Sequence, residues 1–214
     1  MAKRTKSAPR PAIGVLPEKK RKREARIVQS ASDLFARDGY AETSIDAIAR
    51  RADVAVGTVY NYFQNKPALL MRVLTSGKSK SLQASTALAK AQPYGPVEAI
   101  YHLVYAQMQG ANHHDKKLWR VIHATAALEP KEFGLDYFIG KEQFTDHIIQ
   151  LLQTLHDRGQ TQEGINIQIA AKTITYIASE VFRRYVANDY ISIDDAASDL
   201  KLMIKFVVGR AVKT

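Results

Sequence analysis

Cysteine is absent from this 214-residue chain. Disulfide cross-links and thiolate chemistry are therefore excluded, and a reducing compartment is permitted. No apolar run approaches the 18 residues that would mark a membrane-spanning helix. After the basic N-terminal residues the only apolar stretch is "AIGVLP", too short for the core of a secretory signal. The chain reads as soluble and cytoplasmic, with no membrane partner. Strand-like alternation, internal repeats and a glycine-rich phosphate loop are missing too. So is any pairing of a nucleophile with a base, or any cluster of carboxylates, from which catalysis could be built. The acidic residues scatter over polar faces, and the expectation is a protein that is not an enzyme, with no cofactor. "HHD", His113 to Asp115, has no third ligand at helical spacing, so no metal is expected.

What is present is helical periodicity and an uneven charge. The formal net charge is +10, and residues 1–26 hold ten Lys or Arg against two Glu. Residues 27–74 balance five against five, so the basicity belongs to the N-terminal tail. Residues 1–17 mix Pro, Lys, Arg and small residues without period, the composition of a flexible arm. Ile27, Ala31, Leu34 and Phe35 then line one face of a helix that Gly39 should terminate. Thr43 can cap the next helix, with Asp46 returning the bond, while Ile45, Ile48, Ala49 and Ala52 form its buried face. Asn65 and Pro67 open a fourth helix. Between them stands "DVAVGTVYNYF", Asp53 to Phe63, a second short helix after a tight turn. Further helical spacing recurs near 96–110, 114–129, 131–157, 166–187 and 194–212. The fold class is all-α: an N-terminal helix-turn-helix domain and a C-terminal helical domain. The boundaries fall as 1–18 for a basic arm, 19–74 for the first domain and 75–214 for the second.

In a helix-turn-helix unit the second helix enters the major groove of DNA. Val59 and Phe63 stand four apart and can face a small core with Val54, leaving Val56, Gly57, Thr58, Tyr60, Asn61 and Tyr62 for the other sides. Thr58 and Asn61 offer base-edge contacts, a methyl to thymine or an amide to adenine, and tyrosine hydroxyls can reach phosphates. Gly57 costs about 1 kcal/mol inside a helix, so its use is close approach of the backbone to DNA or to the neighbouring helix. The bland alternatives are core tyrosines at 60 and 62, back-bonding at Thr58 and a solvated charge at Lys66.

These residues carry a resemblance. Ala31, Leu34 and Phe35, the Gly39–Tyr40 corner, Thr43-Ser44-Ile45 with Ile48-Ala49, and Val54, Gly57-Thr58-Val59-Tyr60, Tyr62-Phe63 and Lys66 together resemble the DNA-binding domain of the TetR family of transcriptional regulators, over roughly 23–74. The resemblance implies phosphate contacts from Thr43, Ser44, Tyr60, Tyr62 and Lys66, and groove-facing positions at Val56, Gly57, Thr58 and Asn61. Where the family commonly has Ser, this chain has Ala55. Either Asp53 caps the reading helix by shifting its start, or the helix is less stable by ~1 kcal/mol.

The resemblance also implies a dimer, since two-fold pairing lets two recognition helices meet successive major grooves. The last two helices are apolar on more than one face, and the expected interface comprises Ile174, Ala178, Val181, Phe182, Tyr185, Leu200, Ile204, Val207 and Val208, the alternative being that these helices are simply interior to a monomer. The middle helices hold groups suited to a cavity. Tyr105, Trp119, His123, Tyr137 and Tyr176 are candidates to line a site for a small apolar or aromatic effector, the alternative being ordinary core. The expected partners are double-stranded DNA, a second copy and that effector; the expected function is a repressor released from a palindromic operator. The rival is a protein that binds DNA without sequence preference. The basic run "EKKRKREAR" admits three readings: a solubilising tail, an arm that raises DNA affinity more than specificity, and, the weakest, a membrane-surface helix, since no Trp or Leu row accompanies the basic residues.

Overall fold

The computed structural model describes residues 18–76, 87, 94–112, 115–128 and 136–208. The arm 1–17, the run of the fourth helix towards Lys90, His113 and the side chains of Tyr137 and Val208 lie outside what it describes. Among the described residues there are nine helices and no strand. They are α1 (Glu18–Asp38), α2 (Ile45–Arg51), α3 (Val56–Tyr62), α4 (Lys66–Thr75), α5 (Pro96–Asn112), α6 (Lys116–Leu128), α7 (Asp136–Asp157), α8 (Ile167–Ala187) and α9 (Ile193–Val208).

The helix boundaries have local causes. Gly39, at φ +84°, ends α1 and donates its N–H to the Phe35 carbonyl at 3.2 Å, a left-handed terminus that glycine adopts without strain. Ser44 caps α2 by accepting the Ala47 N–H at 3.1 Å. Thr43 is therefore not the cap. It is buried, and its hydroxyl is directed to the Gly39 carbonyl at 2.7 Å and the Leu34 carbonyl at 3.3 Å, locking the α1–α2 corner. Asn65 caps α4 through the Ala68 N–H at 2.8 Å, with Pro67 in the first turn. Helix α1 is described from Glu18, which lies in its first turn and pairs with Lys22 at 2.7 Å one turn on.

α1 packs on α2 and α4, and α2 on α3, around Ile27, Ala31, Leu34, Phe35, Ile48, Val59 and Phe63. α4 continues that core into the second half of the molecule. Leu69, Leu70, Met71, Val73 and Leu74 are all buried, so the helix is apolar nearly all round. It needs cover on two sides. α1 supplies one side, and α6 and α7 supply the other. α7 packs on α8, α8 on α9 and α6, and α5 on α9 and α7. No described helix is long and apolar enough to cross a membrane.

Candidate nucleic-acid interface and regulatory core

The turn between α2 and α3 is closed by three amides that fold back on α2: Ala52 to the Ile48 carbonyl at 2.9 Å, Asp53 to Arg50 at 3.2 Å and Val54 to Ala49 at 3.1 Å. Asp53 takes φ +52° to make it, a left-handed conformation that aspartate tolerates better than most residues. That conformation excludes Asp53 as a cap, because a capping residue is extended. Ala55 stands at the N-cap of α3, and no side chain caps the helix.

Val59 is fully buried and Phe63 nearly so, anchoring α3 through one face. Gly57, Tyr60 and Asn61 are exposed, while Val56, Thr58 and Tyr62 are half-buried. A Cβ placed on Gly57 would meet nothing within 4 Å. The neighbouring helix therefore does not require glycine at this position, and of the two uses open from sequence only approach by an outside partner remains. Tyr60 is 52% exposed, so it is not a core aromatic.

The residues expected on phosphates divide. Ser44 is exposed and, while accepting the Ala47 N–H, keeps its own hydrogen to donate. The Tyr62 hydroxyl donates to the Lys20 carbonyl at 3.2 Å, tying α3 to the first turn of α1. Lys66 lies 4.3 Å from the centre of the Tyr40 ring and donates to the Ala41 carbonyl at 3.2 Å. Burial lowers its pKa, with Glu42 opposing. Burial also pushes the Tyr40 phenol up to about 12, so this ring stays neutral as it supports the lysine. Thr43, buried with its hydroxyl directed inward, differs from the phosphate contact that the resemblance implies.

In the second half, the described candidate cavity residues fall into separate neighbourhoods, and only Trp119 and His123 lie together. Trp119 is buried edge-on to Phe182, with ring centres 5.1 Å apart, and His123 sits 6.3 Å from Phe182 and 6.4 Å from Trp119. Burial lowers the His123 pKa, and the positive charges of Lys141 and Arg183 lower it further. Tyr105 belongs to another neighbourhood, stacked on Tyr101 at 5.6 Å with its hydroxyl 3.4 Å from Asp194 at the start of α9. Tyr176 is 68% exposed on the outer face of α8, which removes it from any interior pocket. It lies two residues from both Ile174 and Ala178, about 200° around the helix from that buried stripe. The cleft between α1 and α4, about 250 Å³, is lined by charged Arg21, Glu24 and Arg72 beside Val28 and is unlike the apolar pocket expected. No group of three or more His, Asp or Glu that could hold a metal ion occurs among the described residues.

The expected dimer surface also needs correction. Ile174, Ala178, Val181, Tyr185, Leu200 and Ile204 are buried within the single chain, and Phe182 and Val207 are half-buried. The six buried residues are already covered by α5, α6 and α7 and by each other, so they are not available to a second copy. The exposed apolar side chains of α8 and α9 lie elsewhere: Ile169 and Tyr176 on α8, and Leu202, Met203 and Phe206 on α9.

One cluster was not foreseen from sequence. Lys116 and Arg120, one turn apart on α6, bind the end of α8 and the loop after it. Lys116 donates to the carbonyls of Asn188 at 2.9 Å and Ile191 at 2.7 Å, and Arg120 donates to that of Val186 at 2.8 Å and pairs with Asp189. Their shared helical face was the only signal, and it names no partner.

Residues 27–73 match the model for bacterial regulatory proteins of the tetR family. The transcriptional repressor KstR of Mycolicibacterium smegmatis is 39% identical over 80 residues, which is 36% of this chain and 39% of that relative, so the match spans about two fifths of its length. KstR of Rhodococcus jostii is 25% identical over 197 residues, 88% of this chain and 84% of the relative. Among solved structures, Thermus thermophilus FadR, a TetR-family transcriptional repressor in complex with lauroyl-CoA, aligns with a TM-score of 0.69 at 24% identity. The alignment covers 89% of this chain and 96% of FadR.

Proposed function

Because the chain belongs, through residues 27–73, to the tetR family of bacterial regulatory proteins, we propose that it is a transcriptional repressor. It reads a palindromic operator as a homodimer and is released by a small-molecule effector that carries an apolar or aromatic group. The observation that carries this reading is the outer face of α3: Gly57 with open space above it, and exposed Asn61 and Tyr60 beside half-buried Thr58, all fixed by the inward anchors Val59 and Phe63. A helix held rigidly by one face, with small and amide side chains on the other, suits contact with base edges in the major groove.

The pairing surface proposed is the outer face of α8 and α9, Ile169, Tyr176, Leu202, Met203 and Phe206. Large apolar side chains collected on two adjacent helices mark an interaction surface. Effector release runs through α4. It is buried against α1 on one side and α6 and α7 on the other, so a ligand that favours a different spacing of α6 and α7 moves the reading head. The Thermus FadR structure holds lauroyl-CoA, which makes an acyl-CoA the first effector class to test.

Selection of binding sites from a random duplex library tests the reading directly. The expected result is enrichment of a two-fold symmetric site, with Asn61→Ala losing about 1–3 kcal/mol of discrimination at one base position in each half. Recovery of no preferred sequence refutes it and favours binding without sequence preference. Titration of the selected complex with lauroyl-CoA tests the effector class separately.

A further inference from the structure

The first turns of α1 are strongly cationic and precede its buried residues, which begin at Ile27. We infer that Lys19, Arg23 and Arg26 form a rigid phosphate-binding stripe, which extends the contact of the reading head along the DNA backbone beyond the ends of α2 and α3. This rests on the proposed reading of α3 as the groove-entering helix.

Three observations carry it. The first is placement. Positions 19, 23, 26, 30 and 33 follow i, i+4, i+7, i+11 and i+14, one stripe of a helix. Lower on that stripe, Ser30 is buried and Asp33 accepts from Arg51, in the last turn of α2, at 2.6 Å. The three cations therefore stand on the side of α1 that carries the helix-turn-helix pair, and not on its far side. The second is rigidity. This segment is helix from Glu18 onwards and is braced twice: the Tyr62 hydroxyl donates to the Lys20 carbonyl at 3.2 Å, and Arg72 of α4 holds Glu24 at 2.9 Å. The third is availability. Both carboxylates of these turns are taken, Glu18 by Lys22 and Glu24 by Arg72, and among the described residues no carboxylate pairs with Lys19, Arg23 or Arg26, all exposed.

Seven residue steps along the helix take Lys19 to Arg26, about 10 Å. Duplex DNA presents one phosphate charge per ~1.7 Å of its axis, so the stripe faces several phosphates along that length. Contacts of this kind position the protein and add affinity without reading sequence. Tyr62, whose hydroxyl is engaged by α1, is then a positioning residue that sets the angle between this stripe and α3.

The test measures the salt dependence of binding to a random-sequence duplex of ~40 base pairs, a probe that needs no knowledge of the operator. The slope of log K against log salt should become shallower by about 2.7 in Lys19→Gln/Arg23→Gln/Arg26→Gln, at about 0.9 per phosphate contact. Raising salt from ~50 to ~200 mM should then cost this variant about 40-fold less affinity than it costs the native chain. An unchanged slope overturns the inference. Ala25→Pro keeps all three cations and breaks the helix between Glu24 and the buried core that starts at Ile27. Its slope should fall towards that of the triple variant. A native slope in this variant means that the cations act as a loose tether, and overturns the claim of a placed stripe.

Circular dichroism and melting check that both variants remain folded. Binding to phosphatidylcholine vesicles carrying phosphatidylserine provides the other arm: loss of vesicle binding in the triple variant, with its DNA slope unchanged, assigns the surface to membranes and overturns the inference. Failure of the library selection sinks the operator reading alone, since the random-duplex slope is measured independently of it.

Discussion

Replacing Ala55 with serine should stabilise the protein, although nothing is buried by the change. Ala55 sits at the N-cap of α3 with φ −68° and ψ 148°, the extended conformation that a capping side chain uses. Ser44, at the start of α2, shows the same geometry completed, with φ −93°, ψ 155° and a 3.1 Å bond from the Ala47 N–H to its Oγ. A full cap is worth about 0.5–2 kcal/mol over alanine. Here the Thr58 N–H already donates to the Ala55 carbonyl at 2.8 Å, so a new Oγ would share that amide or take the one at Gly57. The expected gain is thus in the lower part of the range, about 0.5–1 kcal/mol. Urea denaturation reads it as a midpoint shift of roughly 0.3 M for a slope of about 2.5 kcal/mol/M, with slower amide exchange at Gly57 and Thr58. Ser44→Ala, which removes an existing cap, should lower stability by about 1 kcal/mol and serves as the matched control. If Ser44→Ala destabilises as expected while Ala55→Ser changes nothing or is harmful, then α3 does not start at Val56 and the capping argument fails.

Thr43→Val keeps the shape of a buried side chain but removes the hydroxyl bonded at the α1–α2 corner, and should cost about 1–2 kcal/mol in denaturant unfolding; a neutral result would mean that the corner does not depend on the hydroxyl. His123 has a folded-state pKa below its ordinary value of 6.5, chiefly through burial. The unfolded chain therefore takes up the proton first, and the stability linked to this group is fully present above about pH 6.5 and declines as pH falls below it. Thermal melts across that window should flatten in His123→Asn, and an unaltered pH dependence would assign the effect elsewhere. Leu202→Glu, on the outer face of α9, should convert a dimer to a monomer in light scattering at unchanged fold. Leu200→Ala, on the inner face, should instead lose about 2–5 kcal/mol of stability. A dimer that survives Leu202→Glu would place the pairing surface away from this face.

The elements and their ends were legible because their causes are local. The spacing of Ile27, Ala31, Leu34 and Phe35, Gly39 after α1, and Asn65 before α4 with Pro67 in its first turn act within a turn or two of themselves, and the helices form where these signals stand. The outward set on α3 was legible too, since Val59 and Phe63, four apart, leave Gly57, Tyr60 and Asn61 on the other side. Thr43 and Ser44 show how far this reaches. Both are hydroxyl residues before a helix, and only the path of the chain at the Gly39 corner decides which of them caps it.

α8 and α9 mark the limit. Each carries apolar residues on two faces, and the sequence by itself determined that both faces need cover. Tertiary structure alone decided which face turns inward, because α5, α6 and α7 cover the Ile174–Ala178–Val181 and Leu200–Ile204 stripes and leave Tyr176 and Leu202 outside. The same holds for the Tyr62 hydroxyl, which meets a carbonyl 42 residues away, and for Lys116, which meets carbonyls 72 and 75 residues on. Periodicity and caps are properties of a few neighbouring residues, whereas burial and distant hydrogen bonds exist only once the helices have packed.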